Sequence, residues 1–275
     1  MCSVPLVNLF CRESYNDPLE VYQLLKQRGM NLVTVTDHDS IDAVERLRSY
    51  PDFFLSEEVS CTMSSGTHLH VGVYGITERD HIELARRAND FPSFLAYCDE
   101  RRLLFTVNHA FSALTGRRKR EDFEEFAARF PAMEILNGCM IDAANRYAQD
   151  FARATRKAVM GGSDSHTLAG LAKTYTEVPG ARNAREFLDG VRRGHARVAG
   201  ESGNYAKLTQ AVWSIGLSMM DEHPWTVVLA PLLAVVPIVT LVNLAMEIGF
   251  AWKWGTHTTR FKSAGAVRSA AYAVD

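Results

Sequence analysis

Apolar positions along the chain change period repeatedly, from helical spacing to strand alternation and back. After Asp17-Pro18, Val21, Leu24 and Leu25 form one face of a helix that Gly29 stops. Asp17 reads as that helix's cap. Asn31 to Thr36 is a β-branched run, and Val33-Thr34-Val35 predicts a strand buried on both faces, as in a parallel sheet. A short helix is expected over Ile41 to Arg48, a turn at Pro51-Asp52, and a strand from Phe53 to Leu55 leading into Ser56-Glu57-Glu58-Val59-Ser60. Ser64-Ser65-Gly66 predicts a hairpin turn before an alternating strand from Thr67 to Tyr74. Downstream, helices are predicted at 79–89, 94–100, 121–130, 143–154 and 184–193. Strands are predicted at 103–107, 133–136 and 158–162.

This alternation over about residues 17–195 predicts parallel strands with helical crossovers, hence an α/β barrel or open sheet. Ionisable residues gather where the strands end. That clustering favours the barrel, whose strand-end loops face a common centre.

The last quarter has a different pattern. Lys207 to Met220 reads as an amphipathic helix, and Trp225 to Ala245 is an uncharged apolar run of about bilayer-spanning length. Pro231, Pro237 and Asn243 interrupt that run, and Trp225, Trp252 and Trp254 sit at its margins. A membrane helix is the preferred expectation, with a kinked buried helix or a dimer-forming appendage as alternatives. Lys253, Arg260, Lys262 and Arg268 follow the run while Asp221 and Glu222 precede it, so the charge rule places the tail inside. A re-entrant segment with both ends inside would reconcile that with a cytoplasmic domain. The expected division is a catalytic domain over residues 1–200 and a helical region over 201–275, the chain being cytoplasmic and attached to the inner face of a membrane.

Composition narrows the class only moderately. The chain has 275 residues, 47% apolar and 23% charged, as an ordinary globular protein does. A formal net charge of −2 gives no support for a nucleic-acid-binding surface. The five cysteines (Cys2, Cys11, Cys61, Cys98 and Cys139) are scattered and include no CxxC, which fits reduced thiols in the cytosol.

The candidate chemistry lies in Asp37 and His38, Glu58, His68 and His70, His109, and Asp164 and His166. Singly, each has a plain structural explanation as a cap or a hydrogen-bonded histidine. Together, at four or more strand ends, imidazoles mixed with carboxylates suit divalent zinc, manganese or iron. The basic run Arg117 to Arg120 reads as a solvated loop, or as an attractor for a phosphorylated substrate.

These residues fall in a recognisable order: Thr-Asp-His-Asp, Glu-Val-Ser, His-Val-Gly-Val-Tyr-Gly, Asn-His-Ala and Gly-Ser-Asp-Ser-His. Over about residues 17–200 the order resembles the PHP (polymerase and histidinol phosphatase) superfamily. The resemblance implies a distorted seven-stranded β/α barrel that binds up to three metal ions and hydrolyses phosphoesters. It implies metal ligands at His38, Glu58, His70, His109, Asp164 and His166, with Asp37 supporting His38, and His109 or His166 protonating the leaving group. Ala110 stands where the family usually has proline. The family's opening His-x-His strand has no counterpart: no histidine precedes His38, and Ser3 to Phe10 stands in that place. One or two ions are therefore expected, with either a shortened chain or a lost metal position behind the gap. The leading expectation is a metal-dependent phosphoesterase acting on a small phosphorylated substrate. Alternatives are a non-catalytic metal- or ligand-binding module and a C–N hydrolase on the same scaffold.

Overall fold

The structure is a computed structural model that describes residues 14–259 and 261. Ser3 to Phe10, the expected stand-in for a first strand, lies outside the described residues, as do Cys2 and Cys11. The chain enters through α1 (Pro18–Gln27), where Asp17 accepts from the amides of Leu19 (2.8 Å) and Glu20 (3.3 Å), the capping role its sequence position predicts.

The principal sheet has five strands in chain order: β1 (Ser56–Thr62), β2 (His68–Tyr74), β3 (Leu104–Val107), β4 (Ala132–Asn137) and β5 (Ala158–Gly162). A two-stranded antiparallel sheet follows, β6 (Thr174–Glu177) with β7 (Arg197–Gly200). Two expectations need correction. The principal sheet is mixed, because β1–β2 and β2–β3 pair antiparallel and only β3–β4 and β4–β5 pair parallel. The tight turn at Gly66, whose amide bonds to the Met63 carbonyl at 2.8 Å with φ of 80°, forces β2 to run back along β1. No sheet closes among the described residues, so the fold is a mixed α/β arrangement and the closed seven-stranded barrel is not formed by them.

The Val33–Thr36 run is not a regular strand. It meets β1 and the segment before it at two isolated parallel bridges, Val33 with Phe53 and His38 with Glu58. Val33 is buried, yet Thr34, Val35 and Thr36 are only half-buried, because their other flank lines a cavity rather than a neighbouring strand.

After the short helix α2 (Val44–Leu47), helices α3 (Glu78–Arg87), α4 (Phe91–Glu100), α5 (Arg120–Arg129) and α6 (Asp142–Thr155) supply much of the main core. Phe91, Phe94, Phe105, Phe123, Phe126 and Phe130 are all buried within it. Burial of such side chains contributes about 1.5–3 kcal/mol each. Helix α7 (Ala184–Arg192) packs on a second cluster through Leu188 and Val191. The chain ends in α8 (Tyr205–Glu222), a 3₁₀ segment (Pro224–Val235) and α9 (Val236–His257). Residues Pro224–His257 make one helical stretch long and apolar enough to cross a membrane.

Arg118 departs from the expected solvated loop. It is 5% exposed, and its guanidinium donates to the His68 carbonyl and, at 2.6 Å, to Thr115 Oγ1. It ties the loop after β3 to the start of β2.

Asp80 is a second buried tie, joining α3 to α4. It accepts from Thr77 N (2.9 Å), Thr77 Oγ1 (2.7 Å), Tyr97 OH (2.7 Å) and Arg101 Nε (3.0 Å). Burial alone would raise its pKa, but these donors hold it down to about 2. Asp80→Ala is expected to lower unfolding free energy by about 2–4 kcal/mol in urea titrations, since it leaves several donors unsatisfied. Because the folded pKa is depressed, the wild-type contribution is complete above about pH 4 and is lost as pH falls toward 2. A variant whose stability deficit is unchanged between pH 6 and pH 2 would contradict this.

Candidate metal centre

Glu58 sits at the centre of the site. On β1 it faces opposite to Glu57, as strand alternation requires. Glu57 turns away to meet His81 Nδ1 of α3 at 2.6 Å, while Glu58 faces the imidazoles. His38 Nε2 lies 3.4 Å from Glu58 Oε2, and His109 Nε2 and His70 Nδ1 lie 3.2 and 3.7 Å from Oε1. His70 Nδ1 and His109 Nε2 are themselves 3.2 Å apart, and Asn108 Nδ2 donates to Glu58 Oε1 at 2.8 Å. Glu58, His70 and His109 are each 5% exposed.

Each residue is delivered by a different piece of backbone. The isolated bridge between His38 and Glu58, with Glu58 N donating to Asp37 O (3.1 Å) and Asp39 N to Glu58 O (3.0 Å), fixes the first pair. The β1–β2 register pairs Ser60 with His70 and Glu58 with Gly72. A Cβ at Gly72 would meet Tyr74 Oη at 2.6 Å and Thr106 Oγ1 at 2.8 Å, so a larger residue there would displace both side chains behind the carboxylate. His109 follows β3, and its loop is pinned by Phe111, which packs on Phe123 and Phe151 at ring-centroid distances of 5.2 and 6.1 Å. Asp39, His109 and Asp164 all have positive φ (52°, 30° and 46°), so three of the loops bearing site residues are held in backbone conformations that non-glycine residues seldom adopt.

Electrostatics prepares these groups for a cation. Burial, reinforced by the neighbouring His109, pushes His70 down to about 3, so it is a neutral imidazole with a free lone pair at physiological pH. Burial opposes charge on Glu58, but the hydrogen bond and charge of His109 outweigh it and keep the carboxylate ionised. Burial also opposes charge on His109, and its Glu58 partner reverses that, raising its pKa.

Ligand atoms of His38, Glu58 and His70 all lie within 4.8 Å of one another. A transition-metal ion bound at about 2.0–2.2 Å to each would need little rearrangement. The two-imidazole, one-carboxylate donor set fits zinc, manganese or iron better than calcium.

The structure also assembles groups that the sequence pattern did not point to. Glu134 of β4 accepts from the His109 backbone amide at 2.8 Å and from Asn137 Nδ2 at 3.1 Å. Asn137 Nδ2 also reaches Asp164 Oδ2 at 2.9 Å. Glu134 and Asn137 thus bridge the His109 loop to the Asp164 loop. Burial raises Glu134 to about 7. Its one sequence signal is an isolated carboxylate within the apolar strand Ala132-Met133-Glu134-Ile135-Leu136.

A cavity of about 970 Å³ opens over the cluster, lined by His38, Glu58, Glu134, Asp164 and His166 among others. Asp164 and His166 therefore share the cavity but stand outside the His38–Glu58–His70 cluster. His166 Nδ1 lies 3.1 Å from the Asp164 carbonyl oxygen. Asp37 lines the cavity with an exposed side chain. His68 is exposed at the start of β2 and lies outside the cluster.

Several known proteins resemble this chain in part. Residues 142–196 match the family model described as PHP-associated. No curated protein sequence matches the chain. Among solved structures, PsfC from Pseudomonas syringae superposes with a TM-score of 0.52 at 15% identity, covering 73% of this chain and 88% of its own. A lesion-specific endonuclease from Pyrococcus furiosus gives 0.47 at 14% identity, with 69% and 56% covered. An amidohydrolase from Chromobacterium violaceum gives 0.47 at 14% identity, with 65% and 92% covered. The likeness to PsfC is one of fold, and the PHP-associated match is confined to residues 142–196.

Removing the Glu134 carboxylate is expected to free the His109 loop. Glu134→Ala should weaken binding of manganese or zinc about 10–100-fold in calorimetric titration, as loss of an outer-sphere partner commonly does. Unchanged affinity would show that the Glu134–His109 bond does not support the cluster.

Proposed function

We propose that this domain is a metal-dependent hydrolase that cleaves a phosphoester of a small substrate. The observation that carries the reading is the convergence of His38, Glu58 and His70, of which His38 and Glu58 line a cavity that also holds Asp164 and His166. One or two ions (zinc, manganese or iron) are the cofactor of this proposal, held by His38, Glu58 and His70, with Asp164 and His166 completing the set from the facing loop. A bound divalent ion supplies a hydroxide at neutral pH and neutralises charge on phosphoryl oxygens.

The protein's own groups take distinct roles. The His109 side chain is 1% exposed and is turned to Glu58, so it orients the carboxylate. His166 lines the cavity, which favours it over His109 as the imidazole that protonates a leaving group. Asp37 neighbours His38 and adds negative charge at the rim. Arg28, whose guanidinium donates to the Leu171 carbonyl, is the one Lys or Arg among the described residues that line the cavity. It is the group best placed to meet a substrate anion, a role the run Arg117 to Arg120 does not share because none of those residues lines the cavity. This reading takes residues 1–200 as the catalytic unit and 201–275 as an appendage. It places the domain at the cytoplasmic face of a membrane, consistent with the unpaired Cys61, Cys98 and Cys139.

The test is turnover of p-nitrophenyl phosphate and a panel of phosphomonoesters by manganese-loaded protein. His38→Ala and Asp164→Ala should each lower kcat/KM by at least about 100-fold, or roughly 3 kcal/mol. A chelated protein with unchanged turnover would refute the proposal. Arg28→Ala should raise KM about tenfold with kcat nearly constant, the pattern of lost uniform substrate binding; an unchanged KM would remove Arg28 from the substrate site.

A further inference from the structure

The C-terminal arm is built with its polar groups inside and its apolar groups outside. Helix α8 runs out from the domain and the stretch 224–240 returns along it. Thr209 Oγ1 meets Thr240 Oγ1 at 2.8 Å, Tyr205 OH donates to Pro237 O at 3.0 Å, and Trp213 Nε1 donates to Leu233 O at 2.8 Å. Thr226 and Thr240 are 0% and 2% exposed, whereas Val228 and Ile238 are 70% and 64% exposed. Water as the only solvent would favour the reverse arrangement. Small and hydroxyl-bearing residues between helices, with aliphatic residues outward, are what a lipid environment selects.

The shape of the exposed surface identifies its partner. On α9, Ile238, Val239, Leu241, Val242, Met246 and Ile248 are all at least half exposed and, at 100° per residue, cover about half the circumference. A single partner helix needs a narrower seam, so the surface fits a continuous apolar phase better than a second copy of this chain. Residues 224–246 carry no Asp, Glu, Lys or Arg, and Trp225 and Trp252 stand exposed near the two ends. As 12 residues of 3₁₀ helix followed by 22 of α-helix, the stretch is about 57 Å long, enough for a hydrocarbon core of about 30 Å with its far end still on the domain.

That far end reaches the loop that carries His109. Glu247 is 8% exposed, and its two carboxylate oxygens accept from the Ala113 amide at 3.1 and 3.2 Å. Ala113 belongs to the loop that follows β3 and carries His109. Trp254, one further stretch along α9, stacks on Phe123 at 5.4 Å.

We propose that residues 205–246 form a lipid-inserted helical hairpin whose partner is a phospholipid bilayer, and that Glu247 ties this hairpin to the His109 loop. Both ends of the hairpin then lie on the domain's side of the membrane. Glu247 is a positioning residue, acting on His109 through the Ala113 amide.

The experiment uses the full chain, freed of detergent in the presence of phosphatidylethanolamine–phosphatidylglycerol vesicles and separated by flotation. Wild type should float with the vesicles. The double variant Val239→Lys/Val242→Lys should lose at least about tenfold of that fraction while keeping its near-ultraviolet circular dichroism. Wild type that stays at the bottom as a soluble monomer, or as a dimer by light scattering, overturns the lipid assignment. Hydrogen exchange of a peptide spanning 110–115 tests the tie. Protection should rise on vesicle binding, fall in Glu247→Ala and be restored in Glu247→Gln, which keeps an accepting oxygen; exchange unchanged in all three overturns it. Neither measurement uses hydrolysis, so their failure is separate from failure of the phosphoesterase reading.

Discussion

The structure depends on the cost of burying one carboxylate. Glu58 is removed from water on the inner side of β1, and an isolated buried anion of that kind is untenable without partners. It survives because His38, His70, His109 and Asn108 surround its two oxygens. The same crowding keeps His70 neutral and Glu58 charged, which is the state a divalent cation needs from its ligands. His109 and the Asn108 amide partner the carboxylate here, and a bound ion would be held by His38, Glu58 and His70.

Holding four such groups together constrains the backbone around them. Positive φ at Asp39, His109 and Asp164 would be costly on an isolated loop. The compensations are specific: the parallel bridge at His38–Glu58, Phe111 seated in the aromatic core, and the Glu134–Asn137 bridge between two strand ends. On the other side of the His109 loop stands Glu247, supplied by the apolar arm. The metal centre, the core and the arm thus meet at one loop, residues 109–113.

Much of this was legible in the residues themselves. Strand alternation separates Glu58 from Glu57, Asp37-His38 ends a β-branched run, and Asp164 and His166 follow the apolar run 158–162. The hairpin signal at Ser64-Ser65-Gly66 correctly brings His70 back toward β1. Other parts were not legible, for physical reasons. A β-branched run such as Val33–Thr36 has the composition of a central strand, yet a cavity on one flank leaves it bridged at only two points. Alternating strand and helix patterns do not encode strand direction, so beyond the β1–β2 hairpin, which its turn signal marks, the antiparallel β2–β3 pair is hidden among strands that read as parallel. Glu134 and Asn137 carry no motif, because their part is to bridge loops distant in sequence. The short β6 and β7 strands, of four residues each, are too brief to show a strand pattern. Arg118 sits in a run that looks solvated, and only the tertiary contact with the His68 carbonyl shows why it is buried.

X-ray absorption on the metal-loaded full chain tests the central claim most directly. The account predicts stoichiometric manganese, iron or zinc with nitrogen and oxygen neighbours at about 2.0–2.2 Å, including imidazole scattering that diminishes in His70→Ala. A protein that takes up no stoichiometric metal, or whose metal lacks imidazole ligands, would contradict it.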